Sequence, residues 1–445
     1  MMRPRFARQR IRFGLLAALT VIALTPSGVL RADEADATTP NVRVVAQYRY
    51  SGGTEIAFAG DLVFAGQMNG RVNRGEIPNQ GGVKIFRNSG GRFSPVGSLD
   101  CPGTDNDVIS VRPGIIAVAH HRSRCNPKTG GDGIFLADIS RPSRPRVLGG
   151  VALRSAHTLT LHPSGKYIYV NPGGLANGGG LEVIVDVRDP RAPKLVAGYL
   201  PSPLGCHDLQ FHPTKPLAYC AGLGEVQVWD VSDPIAPRTI QRVVNPAIQF
   251  AHNAVVSPGG TWLVVNDEAF GLHECASDSS LFGSLWIYDL TVPDLPILAG
   301  RIAPPAVPGS QGSQGWTDEW CTAHNYNFVS EDVVVSAWFT GGTRVHDISN
   351  PLQPVELATY RPADAIAYTA HWHQGKVYVN DSHRGMEVLE VDLPPIAIRA
   401  ARSSRPRPGV DLTDVLVRDL PPRRAFTPPT LDTTFYCVLP TPRAA

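Results

Sequence analysis

The sequence predicts an all-β protein made of a repeated four-stranded unit, and three observations predict this fold class. First, the 445 residues include 43 glycines and 40 prolines, and such a content interrupts long helices and favours short strands joined by turns. Second, a strand–turn–strand phrase, whose first strand ends in aspartate, recurs along the chain. Third, a different strand–turn–strand phrase precedes each copy of it.

The aspartate-ended phrase is typical of a β-hairpin. One copy reads GLEVIVDVRDPRAPKLVAGY over residues 180–199. An aspartate side chain hydrogen-bonds the backbone of a turn, and proline presets the turn dihedral angle. We therefore interpret the aspartates that end these strands as structural, namely Asp138, Asp186, Asp230, Asp289 and Asp347.

The preceding phrase forms the other half of the unit. It reads AHTLTLHPSGKYIYVN from Ala156 and AHNAVVSPGGTWLVVND from Ala251, with degenerate copies from Thr54 and Asn106. Two hairpins give four strands, and a unit that recurs every roughly 45 to 70 residues predicts a propeller blade. Seven copies predict a seven-bladed β-propeller over residues 41–395. The segment NVRVVAQYRY at its start resembles an outermost strand, so we expect it to complete the last blade and close the ring.

The two ends of the chain differ from the repeats. Arginines precede the apolar run 13–24, a pattern typical of a secretory signal and too short to span a bilayer. We expect residues 1–37 to be a signal peptide with a short spacer, although an uncleaved anchor is the alternative. The mature protein would then be secreted, periplasmic or at the cell surface, with no membrane span. Residues 396–445 form a C-terminal extension rich in proline and arginine.

The segment LEVIVDVRDP at residues 181–190 resembles the repeat of the LVIVD family of exported bacterial and archaeal β-propellers. The resemblance extends from Asn41 to about Asp392. It implies a seven-bladed propeller and export, and it implies no particular activity.

Histidines recur at the start of the innermost strand of five blades, and the alignment assigns acids to the same position in blades one and two. Such a ring of imidazoles and carboxylates at one channel mouth suits a transition metal ion such as Fe, Cu, Zn, Mn or Ni. The alternative is that the repeat copies a histidine whose ring hydrogen-bonds the adjacent blade. The predicted metal ligands are His157, His207, His252, His324 and His371, and the predicted further ligands or general acid/base residues are Glu55, Asp107, Asp267 and Glu268.

Tryptophans and long loops are predicted to lie on the same face as the histidines. Elongated loops on one face of a rigid scaffold are where binding residues concentrate. The alternative is that these loops merely cover the channel mouth. The predicted substrate-contacting residues are Trp316, Trp320, Trp338 and Trp372.

Six of the seven cysteines map to the histidine face, and an oxidising compartment would let them pair. Each predicted disulfide links positions near the start of an innermost strand or the end of a second strand. A Cys–His metal site or a thiol nucleophile is the alternative. The predicted pairs are Cys101–Cys125, Cys206–Cys220 and Cys275–Cys321, with Cys437 left unpaired unless it displaces one of these partners.

The charge balance limits the possible partners. With 41 basic and 39 acidic residues the net charge is +2, and binding driven by phosphate neutralisation needs a clear basic excess, which excludes nucleic acid as the main partner. The expected partner is a small molecule or a surface protein or glycan. The sequence therefore predicts a metal-dependent oxidoreductase or hydrolase of small molecules. The alternative is a non-catalytic propeller that binds a protein, peptide or glycan.

Overall fold

The computed structural model describes most of the repeat region. The described residues are 36–68, 81–89, 91–101, 104–121, 132–153, 156–172, 182–199, 205–222, 224–269, 281–306 and 320–394, with the backbone alone for 104–106 and 121. The predicted C-terminal extension lies outside them, as do residues 1–35 of the predicted signal peptide and spacer.

The described residues form seven antiparallel sheets of four strands each, and no α-helix. In chain order the strands are β1 (Val42–Tyr48), β2 (Gly53–Ala59), β3 (Leu62–Gln67), β4 (Gly82–Ser89), β5 (Arg92–Asp100), β6 (Thr104–Arg112), β7 (Ile115–His121), β8 (Gly133–Asp138), β9 (Arg146–Ala152), β10 (Thr158–Leu161), β11 (Tyr167–Asn171), β12 (Glu182–Asp186), β13 (Lys194–Tyr199), β14 (Asp208–Phe211), β15 (Leu217–Ala221), β16 (Val226–Asp230), β17 (Arg238–Val243), β18 (Ala251–Val256), β19 (Trp262–Asp267), β20 (Leu285–Asp289), β21 (Ile297–Ile302), β22 (Tyr326–Ser330), β23 (Val333–Ala337), β24 (Thr343–Asp347), β25 (Val355–Tyr360), β26 (Ala367–His373), β27 (Lys376–Asp381) and β28 (Gly385–Val391).

Each sheet is one blade, with its first strand on the central channel. Blades one to six take four consecutive strands each, from β2–β5 to β22–β25. Blade seven has the order β26-β27-β28-β1, so its outermost strand comes from the N-terminus. The predicted seven-bladed propeller closed by an N-terminal strand is confirmed.

Backbone pairing holds this closure together. Strand β1 runs antiparallel to β28, with Val42 opposite Val391 and Tyr48 opposite Met386. Just after β1, the Tyr50 hydroxyl donates to Oδ1 of Asn380 at 2.6 Å. Because β1 pairs with β28, it covers the edge of β28 that would otherwise be exposed. Covering such edges limits association between chains through unpaired strands.

The aspartates that end the third strands stabilise the turns that follow them. The Oδ1 atom of Asp138 accepts a hydrogen bond from the backbone N–H of Ser140 at 2.9 Å. The same bond, from the residue two positions later, recurs at Asp186, Asp230, Asp289 and Asp347. These contacts are the Asx turns that the sequence pattern predicts.

The hydrophobic core lies between adjacent blades. Phe64 of blade one packs in one buried cluster with Phe135 of blade two, and Trp286 of blade five packs with Tyr219 of blade four. Tyrosine hydroxyls also cross between blades, since that of Tyr219 donates to the carbonyl of Pro293 at 2.8 Å. Burial on both faces of every sheet explains the apolar runs in the middle strands.

Glu331 joins the inner turns of blades five and six. Its carboxylate accepts from the Ser257 hydroxyl at 2.7 Å, from the Thr261 backbone N–H at 3.0 Å and from the Gly259 backbone N–H. Burial disfavours the charged form, but these hydrogen bonds outweigh burial and lower the pKa of Glu331.

We expect Glu331→Gln to destabilise the protein by about 2 kcal/mol at pH 7, because charge-assisted hydrogen bonds are lost. A depressed folded-state pKa contributes stability above the unfolded pKa and loses it as the pH falls. The difference in the free energy of unfolding between variant and parent should therefore shrink as the pH drops below about 4. Urea unfolding at pH 7 and near pH 3.5 measures it, and a pH-independent difference would contradict the assignment.

Candidate metal centre at the channel mouth

The first strands of all seven blades border one cavity of about 210 Å³ in the channel. Because strands alternate in direction, the start of each first strand lies at the same rim as the loop between the second and third strands. This rim, called here the histidine rim, carries the candidate site.

Four of the predicted histidines occupy equivalent positions at this rim. The backbone N–H groups of His157, His207 and His324 each donate to the backbone carbonyl of the last residue in the second strand of the same blade, at 2.7 to 2.8 Å. The rings follow one another from blade three to blade six, with centroid separations of 4.6 Å from His157 to His207, 4.2 Å from His207 to His252 and 4.3 Å from His252 to His324. We call this row the histidine arc.

His371 does not belong to the arc, and its predicted equivalence is wrong. Ala251 lies opposite Asp267 in blade five, and Ala367 lies opposite Asp381 in blade seven. Tyr368 is therefore the counterpart of His252, and its ring continues the arc 4.2 Å from that of His324. His371 lies three residues further along β26 and deeper in the channel, because the Ala-His pair of blade seven matches the repeat in letters but not in register.

Glu55 and Asp107 lie one residue further along their strands than the arc position, so their predicted alignment with the histidines is wrong, because bulges shift the register of both strands. Asp107 and Asp208 hold the same place in blades two and four, opposite Ala119 and Ala221. Glu55, Asp107 and Asp208 all border the cavity, and we call them the carboxylate layer. The sequence could have revealed Asp208, since it directly follows the repeated histidine.

Hydrogen bonds to the next blade fix which nitrogen carries the proton in two rings of the arc, those of His207 and His324. Nδ1 of His207 contacts the His252 carbonyl at 2.9 Å, and Nδ1 of His324 contacts the Tyr368 carbonyl at 2.6 Å. A carbonyl only accepts, so Nδ1 donates and Nε2 of the neutral ring keeps its lone pair. The alternative explanation, that repeated histidines bond the adjacent blade, is therefore correct for these two rings, and it leaves Nε2 available to a ligand.

His252, His324 and Glu268 bring three ligand atoms within 4.8 Å of one another, and all three residues are buried. Nε2 of His252 lies 3.7 Å from one carboxylate oxygen of Glu268, and Nε2 of His324 lies 3.9 Å from the other. Ligands about 2.1 Å from a shared tetrahedral ion lie roughly 3.4 Å apart. The cluster therefore fits a transition metal ion after small side-chain adjustments.

The electrostatics of the cluster match that use. Burial lowers the pKa of His324 to about 4 and that of His252 well below its usual value, so both rings are neutral at pH 7. Burial, followed by the charge of Asp267, raises the pKa of Glu268 to about 8. A bound cation would offset the cost of ionising this carboxyl group.

Asp267 holds the rim backbone beside Glu268. Its carboxylate accepts from the N–H groups of Phe250 at 2.8 Å, Gln249 at 3.0 Å and Gly283 at 2.9 Å. These bonds aim Asp267 at the backbone, whereas the next residue faces the histidines. Ala269 follows with a φ of 51°, a conformation that costs energy in a non-glycine residue and is enriched at functional sites.

The three predicted tryptophans that the structure describes do not converge. Trp320 packs edge-on against Phe339 at 5.4 Å, and Phe339 contacts the His324 ring at 4.7 Å. Trp338 is instead a fully buried core residue whose Nε1 donates to the Ser336 hydroxyl. Trp372 lies near the far end of β26, away from the histidine rim, and packs on the core of blades six and seven; Trp316 lies outside the described residues.

The Glu55 side chain of blade one forms hydrogen bonds with residues of blades six and seven. Its carboxylate accepts from the Asn325 amide, from the Thr369 hydroxyl at 2.9 Å and from Nε2 of His371. Burial opposes ionisation of Glu55, but the charge and hydrogen bond of His371 lower its pKa. Glu55 and His371, both predicted as site residues, therefore form a pair in the channel below the cluster of His252, Glu268 and His324.

The predicted Cys206–Cys220 disulfide is present, with a Cα–Cα distance of 5.6 Å. It joins the first two strands of blade four beside His207, and a loop of this length contributes about 3 kcal/mol by restricting the unfolded chain. Cys101 and Cys321 are also disulfide-bonded. Their predicted partners, Cys125 and Cys275, lie outside the described residues, as does Cys437.

Fold and site together define a class: a seven-bladed β-propeller with a buried histidine–carboxylate cluster at the channel mouth that could hold a metal ion. Residues 157–200, which contain blade three, match the family model of the LVIVD repeat. The chain thus carries this repeat, and its recognition as an LVIVD-repeat propeller is confirmed.

Among solved structures, a periplasmic gluconolactonase of Pseudomonas aeruginosa has a similar fold. Its TM-score is 0.52 at 16% identity, over 72% of this chain and 89% of that one, and at this identity the likeness shows the fold alone. No curated protein matches the chain significantly. Within the described ranges, no helix has the length and hydropathy needed for a membrane span.

Proposed function

We propose that this protein is an exported, metal-dependent hydrolase of small molecules, with its reaction site at the histidine rim. The observation that carries the proposal is the buried cluster of His252, Glu268 and His324. Two histidines and one glutamate form a donor set used by catalytic zinc and, with open positions, by iron. The cavity of about 210 Å³ accommodates a small molecule rather than a polymer.

A hydrolase also needs groups that hold and move protons. A metal ion in the cluster would supply Lewis acidity and lower the pKa of a bound water. Asp107 borders the same cavity as His252, and burial, followed by the nearby charge of Glu55, raises its pKa well above the usual value. A carboxyl group with a raised pKa can exchange a proton with a reacting group during hydrolysis.

Export is supported by the disulfide chemistry. Cys206–Cys220 is formed and two further cysteines are disulfide-bonded, and disulfides persist in oxidising compartments. The arginine-rich, apolar start of the chain supports the same assignment.

The test is the metal content and activity of protein purified without chelators. Elemental mass spectrometry should find about one transition metal ion per chain. Stripping and reloading the metal should abolish and restore hydrolysis across a panel of lactones and esters. Less than about one ion per several chains, with no rise in melting temperature when zinc is added, would refute the metal site. Stoichiometric iron together with oxygen-dependent turnover would indicate that the protein is an oxidoreductase and not a hydrolase.

A further inference from the structure

The carboxylate layer has acidic groups but little positive charge around it. Glu55 pairs with His371. Asp107 and Asp208 border the same cavity, and no lysine or arginine is among its described lining residues. The cavity therefore offers nothing to balance an anion, whereas a ligand that brings positive charge would favour ionisation of the buried acids.

Two asparagine residues that line the same cavity have a side-chain oxygen without a hydrogen-bond donor. Oδ1 of Asn253 and Oδ1 of Asn325 have no hydrogen-bond partner among the described residues, and both residues border the cavity. Asn253 is only 6% exposed. The amide of Asn325 is oriented by its Nδ2, which donates to Glu55, so its oxygen is a true acceptor. Buried acceptors left unpaired cost free energy, and a donor-rich ligand would remove that cost.

A single metal ion does not fit these acceptors. Among the described residues, only His252, Glu268 and His324 bring three ligand atoms within 4.8 Å. The carboxylate layer is spread more widely around the channel, whereas oxygen ligands of one calcium ion all lie about 2.4 Å from it. A cavity of about 210 Å³ is also far larger than a single ion or water requires.

We propose that the carboxylate layer and Asn253 bind a small organic cation that carries ammonium groups. Its N–H donors would satisfy Asp107, Asp208 and the Asn253 oxygen, and its charge would balance the acids. Since the layer borders the same cavity as His252, this cation would be the positively charged part of the substrate. In naming the substrate class, the inference rests on the proposed hydrolase function.

Calorimetry on the full chain tests the proposal with putrescine as the probe, and with butanediol, succinate and calcium chloride as comparisons. Putrescine should bind, whereas its neutral and anionic analogues should not. The isosteric Asp107→Asn/Asp208→Asn pair should weaken binding at least about tenfold, since charge-assisted hydrogen bonds are lost. Asp189→Asn, in an exposed turn of blade three, is the matched control and should leave binding unchanged.

Asn253→Ala provides a second variant if the double substitution does not fold, and it should also weaken putrescine binding. Equal binding of butanediol, tight stoichiometric calcium binding, or unchanged affinity in the Asn253→Ala variant would each overturn the proposal. The His252→Ala/His324→Ala variant separates the two hypotheses. If this variant still binds putrescine, the carboxylate layer is supported whatever the metal result. If the unmodified protein binds metal but not putrescine, only the cation proposal is refuted.

Discussion

The His252→Ala/His324→Ala variant should remain folded and lose its metal. The two imidazoles supply two of the three ligand atoms of the cluster, and a lone glutamate does not hold a transition metal ion at micromolar concentration. Affinity should fall by more than about 100-fold, since changes to the groups around a metal already cost 10- to 100-fold. Elemental mass spectrometry after dialysis against metal-free buffer measures the loss, and the thermal unfolding curve checks the fold.

His162→Ala is the matched control. His162 is a histidine of the same repeat, but it lies in the turn at the opposite rim, where Nδ1 contacts the Ser164 hydroxyl at 2.8 Å. This variant should keep the full metal content. If the double variant retained stoichiometric metal, the centre would have to lie elsewhere in the chain.

Removal of residues 1–50 should abolish cooperative folding. The deletion takes away β1 and its ladder with β28, together with the hydrogen bond from Tyr50 to Asn380. It also removes the contacts of Ala37 and Thr39 with blade six. The lost hydrogen bonds and burial amount to more than about 5 kcal/mol, which is comparable with the whole stability of a typical domain. Circular dichroism during heating should show a broad transition or none, and the soluble yield should fall.

A chain that lacks only residues 1–35 is the control, because it keeps every contact of the closing strand. It should unfold in a single sharp transition. A synthetic peptide of residues 36–50 should partly rescue the longer deletion by adding back the outer strand. Equal melting temperatures for the two truncated chains would show that closure contributes little.

The fold could be predicted because its determinants are local and repeated. Five Asp–Pro hairpins each specify their own turn, so these weak signals support one another. The NVRVVAQYRY segment resembles the fourth strand of the other blades and so indicates the closure. The pairing register of the strands depends less on local sequence than the turns do. A shift of three residues in blade seven moved His371 out of the arc and placed Tyr368 in it, and bulges of this kind leave no clear mark in one sequence.

The side-chain environment explains the remaining differences. Trp338 follows the second strand of blade six at the predicted rim, but whether a tryptophan faces a cavity or a neighbouring blade depends on tertiary packing. Trp372 lies at the opposite rim because the register of β26 differs from the one that the Ala-His pair indicates. The sequence indicates Glu268 only as one of several candidate acids. Glu268 differs from Asp267 in the direction of its side chain. Three backbone N–H groups bind the Asp267 carboxylate and hold it against the backbone, whereas Glu268 faces the histidines.

The layered channel also bears on how such a protein can evolve. Each blade contributes one side chain to the level of the carboxylate layer: Glu55, Asp107, Thr158, Asp208, Asn253, Asn325 and Thr369. Because the blades are separate copies of one unit, a single codon change in one copy alters one point on the wall and leaves the other six intact. The proposed metal ligands lie outside this level. The side chains that face a bound ligand can therefore change blade by blade while the cluster of His252, Glu268 and His324 is kept.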